Sequence, residues 1–315
     1  MDPTFRPSPA ANAKVTAARL SIVSNSALVA LKLVAGLLGG SVSVLSEAAH
    51  SATDLLASVI AFFSVRVSDL PADSHHPYGH GKAEALSGLA EAVLIFAAAA
   101  YIVVEGVRRL MGHGKTPDVD LGIAVMLVSV VANVIVSRHL FQVARERDSL
   151  ALEADAEHLR TDVYTSAGVL VGLGLVRLTG WVPLDAIVAI VVAMVIVHAA
   201  WRLTRASVLL LMDAQLPDDD TALVRRVFDA EPAVLSYHKL RTRKSGSARL
   251  IDAHVQLDDR LTLVEAHALT EQLEDRIRAD LPFAEVTLHT EPYHEELRHQ
   301  HERHGGPPPD GLKHA

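Results

Sequence analysis

The chain has 315 residues, half of them hydrophobic, with a formal net charge of −8 and no cysteine; its mean hydropathy is +0.26. Lacking cysteine, it can form neither disulfides nor thiolate metal sites, so any metal must be held by His, Asp or Glu, and 17 histidines are available. The acidic balance and the absence of a dense basic stripe argue against a nucleic-acid partner, while apolar runs concentrated in the first two-thirds indicate a polytopic membrane protein with a soluble part.

In chain order, residues 1–16 form a polar, proline-containing N-terminal segment, and the first apolar run is too long for a signal h-region, so no cleavable signal is expected. A membrane domain is expected over 17–211. Six apolar stretches there, near 17–38, 42–65, 83–107, 121–141, 158–178 and 187–211, each approach the roughly 20 residues that span a bilayer. Tight turns at Gly39, Gly40 and Ser41 and at 179–183 join the first two and the last two spans. An even number of spans puts both termini on one side of the cell (inner) membrane. Arg6, Lys14, Arg19, Arg138, Arg145, Arg147, Arg202 and Arg205 outweigh Arg108, Arg109, Lys115 and Arg177 on the other side, which makes that side cytoplasmic.

Residues 212–293 read as a separate α+β module. An acidic cluster opens a helix over 218–230, and strands over 237–243 and 248–257 flank a Lys-Ser-Gly-Ser turn. In the second strand Ile251, Ala253, Val255 and Leu257 share one face, leaving Asp252, His254 and Gln256 on the other. A helix over 263–281 and a strand over 284–289 complete an αββαβ order. Residues 294–315 are rich in His, Pro and charge and read as a disordered tail.

Two matched motifs interrupt the apolar pattern. Residues 47–54 and 155–162 both read acid-Ala-x-His-x-x-Thr-Asp, which places His50 with Asp54, and His158 with Asp162, at i and i+4 on one helix face. Interhelical hydrogen bonding alone gives no reason for that geometry to repeat. Ionisable groups at bilayer depth mark function, and two imidazoles with two carboxylates suit a four-coordinate Zn²⁺-type ion. Spans two and five are antiparallel, so the motifs fit an inverted repeat of three-helix units with a site where the halves meet. Because neutral imidazole binds metal and imidazolium does not, metal entry should expel protons, which suggests exchange of a divalent ion for H⁺.

Between spans two and three, Asp73, His76 and His80 lie within eight residues beside a turn formed by Pro77 and Gly79, and favour a second, weaker metal site. In the soluble module, His238, His254 and His289 fit equally the polar face of a half-exposed sheet or a metal site. The tail histidines His294, His299, His301, His304 and His314 are read as incidental.

With the paired His-x-x-x-Asp spans and the His-Pro-Tyr-Gly-His-Gly-Lys-Ala-Glu stretch in view, the chain resembles the cation diffusion facilitator family over about 17–292. The resemblance implies a six-helix transport domain and a ferredoxin-like, metallochaperone-like cytoplasmic domain that pairs two protomers. It implies that His50, Asp54, His158 and Asp162 form a tetrahedral transport site and that Asp73, His76 and His80 match the loop site of bacterial zinc/proton exchangers. His238, His254, His267 and His289 then match residues that hold a binuclear zinc site, with Glu291 where relatives carry Asp. Lys82 and Asp213 match a charge pair that locks a dimer near the cytoplasmic surface.

His50 stands where several members that also move iron or cadmium have Asp, which resembles the zinc-selective subgroup and suits Zn²⁺ better than Mn²⁺. The expected function is therefore export of Zn²⁺ in exchange for protons, with Zn²⁺ also a structural or regulatory ion. The alternatives are a broader Fe²⁺, Mn²⁺, Co²⁺ or Cd²⁺ exporter, or a membrane-anchored metal sensor, which has no use for a quartet at bilayer depth. No enzyme activity is expected, since there is no His-Glu-x-x-His helix and all four ligands are needed, leaving no position for an activated water.

Overall fold

The structure, a computed structural model, describes residues 9–39, 42–111, 120–181, 183–295 and 298. It divides into two compact units, Met1–Leu211 and Met212–Ala315. The first contains α1 (Pro9–Gly39), α2 (Val42–Ser68), α3 (Ala83–Leu110), α4 (Asp120–Arg147), α5 (Leu150–Thr179) and α6 (Pro183–Leu211). Among the described residues four helices are long and apolar enough to cross a membrane, within α1, α3, α4 and α6. The other two, α2 and α5, carry the repeated motifs. α5 begins at Leu150 rather than near His158: Glu153, Asp155 and Glu157 look like loop residues in sequence, yet Asp155 and Glu157 are buried.

Each helix of the first three packs on its counterpart in the second three, α1 on α4, α2 on α5 and α3 on α6, and α1 pairs with α2 as α4 pairs with α5. Small residues permit the close approach of α3 and α6. A Cβ on Gly88 would lie 2.7 Å from Ser207 Oγ, and one on Gly106 would lie 3.0 Å from Ile190 Cγ1.

A buried ionic hub ties one end of this unit. Lys14 Nζ on α1 donates to Asp69 Oδ1 at 2.8 Å and to Glu84 Oε1 at 3.1 Å. Glu84, at the start of α3, also accepts from Ser68 Oγ at 3.1 Å and from the Ala151 backbone N–H of α5 at 3.4 Å. Lys14 and Glu84 are almost completely enclosed, so neither charge could be kept there without the other.

The second unit contains α7 (Asp218–Ala230), β1 (Ser236–Ser245), β2 (Ala248–Leu257), α8 (Leu263–Asp280) and β3 (Ala284–Pro292). The sheet order is β1-β2-β3, with β1 and β2 antiparallel and β2 and β3 parallel across the α8 crossover. Gly246 turns the hairpin with φ +59°, a left-handed conformation that glycine adopts freely. Ile251, Ala253, Val255 and Leu257 of β2 pack with Val224 and Phe228 of α7 and with Leu273 and Ile277 of α8. Both outer strands run longer than their hydrophobic alternation indicates, β1 to Ser245 and β3 to Pro292, because the sheet pairing continues past the last apolar residue.

A capping box starts α8: Thr262 Oγ1 accepts from the Glu265 N–H while the Glu265 carboxylate accepts from the Thr262 N–H. Those bonds from Thr262 hold the Glu265 carboxyl below its usual range. Its stabilising effect is therefore present above the unfolded value of about 4.3 and fades as pH falls through the lower folded one. Replacing Thr262 with Ala should cost the second unit about 1 kcal/mol and lower its thermal midpoint in calorimetry, whereas Thr262→Ser should leave the midpoint nearly unchanged.

Candidate metal centre

Among the described residues three groups of His and carboxylate side chains bring their ligand atoms within 4.8 Å of one another: Asp54, His158 and Asp162; Asp73, His76 and His80; and His238, His254 and Glu291. Metal–ligand bonds of about 2.0–2.1 Å set tetrahedral ligand atoms about 3.3 Å apart, so each group needs only small side-chain movements to close on one ion.

The first group lies where α2 meets α5. His158 Nε2 is 3.2 Å from Asp54 Oδ1, and both side chains are more than nine-tenths buried. Asp162 follows His158 by one turn on the same face of α5. The side chain of His50 lies outside the described residues; its backbone is one turn before Asp54 on α2. Beneath the ligands, Ser58 Oγ donates to Asp155 Oδ1 at 2.9 Å. Ser58 also contacts Ser21 Oγ at 2.9 Å and accepts from Asn25 Nδ2 at 2.8 Å. Ser58 is one turn after Asp54, and Asp155 one turn before His158, so this network fixes the spacing of the two ligand-bearing faces. His158 Nδ1 is buried with no hydrogen-bond partner among the described residues.

In the loop, Asp73 Oδ1 accepts from the backbone N–H groups of His76 at 2.6 Å and His75 at 2.8 Å. These bonds hold its carboxyl below the usual carboxylate range, so it stays ionised and available to a cation well below neutral pH. His76 Nδ1 lies 3.5 Å from Asp73 Oδ1, and His80 Nε2 lies 3.4 Å from Asp73 Oδ2. The turn needs Gly79, whose φ is +76°.

The third group is built by strand register. His238 pairs with His254, and His254 with His289, so three imidazoles form one row across the sheet. Ring centroids are 5.1 Å apart for the first pair and 4.7 Å for the second. Glu291, two residues after His289 on the same face, is the shared partner. It lies 2.5 Å from His254 Nδ1, 3.5 Å from His238 Nε2 and 3.8 Å from His289 Nε2. A bulge follows His238, with Lys239 at φ +51°, and the regular pairing resumes at Arg241.

His267 is not brought to this group. It sits exposed on α8, 3.5 Å from Glu271, because the helix directs its apolar stripe, and not His267, toward the sheet. Lys82 and Asp213, expected as a charge pair, fall in different units; within its own unit Asp213 pairs with Arg243 at 3.2 Å. His299, His301, His304 and His314 lie outside the described residues.

Several supporting residues escape sequence reasoning. Gln256 donates toward Glu291 Oε2 at 3.5 Å, and its place on the polar face of β2 beside His254 was the available signal. Asp155 is the acid of the repeated motif itself. Glu84 and Lys14 show no local pattern that would pair them, since they are 70 residues apart.

Such a fold and such sites define a multi-pass membrane protein with candidate cation-binding groups in its helices and in an α+β domain. Family comparison agrees: residues 18–212 match the cation efflux transmembrane domain and residues 216–293 match the cation efflux protein cytoplasmic domain. The cation-efflux pump FieF of Shewanella oneidensis is 34% identical over 276 residues, spanning 88% of this chain and 93% of that protein. FieF of Yersinia pestis (strain Pestoides F) is 36% identical over 279 residues with the same coverage. Among solved structures, the metal-bound C-terminal domain of the CzcD transporter from Thermotoga maritima is 26% identical, covers 24% of this chain and 88% of that one, and gives a TM-score of 0.23. The chain belongs to the cation diffusion facilitator family of cation efflux transporters.

If Glu291 is the shared ligand of the sheet group, Glu291→Gln should weaken metal binding to the second unit by at least tenfold in equilibrium dialysis. Gln256→Ala should weaken it by a smaller factor, because Gln256 only orients the carboxylate.

Proposed function

We propose that this transporter exports Zn²⁺ from the cytoplasm across the cell's inner membrane in exchange for protons, with both termini cytoplasmic. In this reading residues 17–211 form the transport domain, 212–293 the cytoplasmic domain, and 1–16 and 294–315 its polar ends. His50, Asp54, His158 and Asp162 carry the ion. The observation that supports it most is the convergence of Asp54, His158 and Asp162 from two helices that are otherwise membrane-length. Polar groups at that depth are costly unless they serve an ion pathway. Two imidazoles among four ligands favour Zn²⁺ over Mn²⁺, and the requirement for neutral imidazole couples metal binding to proton release.

The loop group Asp73, His76 and His80 takes up a second, weaker Zn²⁺. In the cytoplasmic domain His238, His254, His289 and Glu291 hold a structural or regulatory Zn²⁺ and help pair two protomers, with His267 facing a shared second ion only from outside that cluster. Lys82 and Asp213 act as the lock near the cytoplasmic surface of the dimer. The broader reading, a Fe²⁺, Mn²⁺, Co²⁺ or Cd²⁺ exporter, is favoured by the two carboxylates of the described ligands, which also suit harder ions. A metal sensor without transport leaves the buried group on α2 and α5 unexplained, and hydrolysis would need a coordination position that four protein ligands leave closed.

In proteoliposomes, Asp162→Ala should reduce zinc flux to background while the protein still folds and dimerises by size-exclusion chromatography. Undiminished flux in that variant contradicts the assignment.

A further inference from the structure

Glu91 belongs to none of the three ligand groups. It lies on α3, eight residues after Ala83 and so about 12 Å along the helix at 1.5 Å per residue. Its relative exposure is 0%. Ser87 Oγ, one turn earlier on the same helix, reaches Oε1 at 3.3 Å, and Oε2 is buried with no hydrogen-bond partner among the described residues. Neighbouring Ala92 and Ile95 pack into an apolar cluster with Ala154 of α5 and Ile196, Ala200 and Leu203 of α6.

No cation faces it among the described residues. From α5 the charged group acting on it is Asp155. Asp155 is itself fully buried, its carboxylate held by the Ser58 and Ser21 hydroxyls. From α6, Arg202 and Arg205 line a separate groove with Glu153 and Glu157, and His198 is exposed. From α2, Asp54 is engaged with His158, and Arg66 is exposed over the Phe62 ring.

An enclosed carboxylate with a second carboxylate nearby and no cation is among the costliest groups to bury in ionised form. The smallest neutralising partner is a proton, since among the described residues no other imidazole or carboxylate ligand atoms gather with Glu91 to form a metal site. Asp155 connects this group to the transport ligands, standing one turn before His158 on α5 and bonded to Ser58, one turn after Asp54 on α2.

We propose that Glu91 is a proton-binding site of the transport cycle, holding a proton while the α2–α5 ligands are without metal and releasing it when a divalent cation binds there. The balance is simple: the cation's positive charge enters the ligand group and one proton leaves a Glu91 carboxyl oxygen, the O–H electron pair staying on oxygen. The remaining charge compensation comes from the ligands themselves. The inference rests on the proton-exchange reading above.

The test counts protons released per Zn²⁺ bound by the full-length protein in weakly buffered detergent solution, with the response of vesicle zinc uptake to an imposed pH gradient as a second readout. Glu91→Gln keeps the shape of the side chain but cannot ionise. It should keep zinc affinity within about threefold, release one proton fewer per zinc, and lose most of the acceleration by the gradient. A proton count and gradient response equal to wild type would overturn the inference. Infrared difference spectra of the wild-type protein decide the matter even if that variant fails to fold. A protonated carboxyl C=O band should disappear on zinc addition, and no such change would also overturn it. Wild-type protein that binds zinc in the membrane without releasing any proton would instead overturn the exchange reading, and this inference with it.

Discussion

The membrane unit depends on a single constraint: ionisable side chains enclosed in membrane-length helices must satisfy one another. Asp54 of α2 and His158 of α5 meet this constraint across the bundle at 3.2 Å. Ser58, Ser21, Asn25 and Asp155 form a hydrogen-bonded layer beneath it. A single unpaired member would leave a buried charge without compensation, which costs more than the pair contributes. A divalent ion would satisfy the same groups better than they satisfy each other, so the candidate cation site and an energetically unsettled core coincide here.

The ionic hub around Glu84 gives that core a frame. Because Glu84 sits on α3 while its partners come from α1, the end of α2 and the start of α5, it links the α3–α6 pair to the helices that carry the ligands. Glycines at 88 and 106 keep α3 and α6 closely packed, so the pair can behave as one element. Helices that pair tightly within themselves and are joined to the others by a few polar ties are the arrangement that rigid-body rocking requires. The soluble unit is held by different physics: an apolar layer under the sheet, and a register that lines up three imidazoles on its other face.

Much of this was legible in the sequence. The i, i+4 repetition of His and Asp points to α2 and α5, from which Asp54, His158 and Asp162 converge, because helix periodicity converts spacing directly into a shared face. Strand alternation in 251–257 separated the core residues from His254 and Gln256 correctly. What failed to show was anything set by tertiary packing. The start of α5 does not show in the sequence because hydropathy cannot distinguish a loop acid from one buried against another helix, as Asp155 is. Resemblance groups His267 with the sheet histidines, yet helical phase leaves it on the exposed side of α8. Glu291 was expected as a lengthened substitute for Asp; as the partner shared by three histidines, it shows that the extra methylene reaches across the row.

The central claim is that α2 and α5 together hold the exported ion. It is tested most directly by zinc-edge X-ray absorption on bilayer-reconstituted protein in which the loop and cytoplasmic ligands are replaced by alanine. The account predicts one zinc retained per chain, bound by four nitrogen and oxygen ligands including two imidazoles, and lost on further replacement of His158. Zinc absent from that protein, or retained after His158 is replaced, would contradict it.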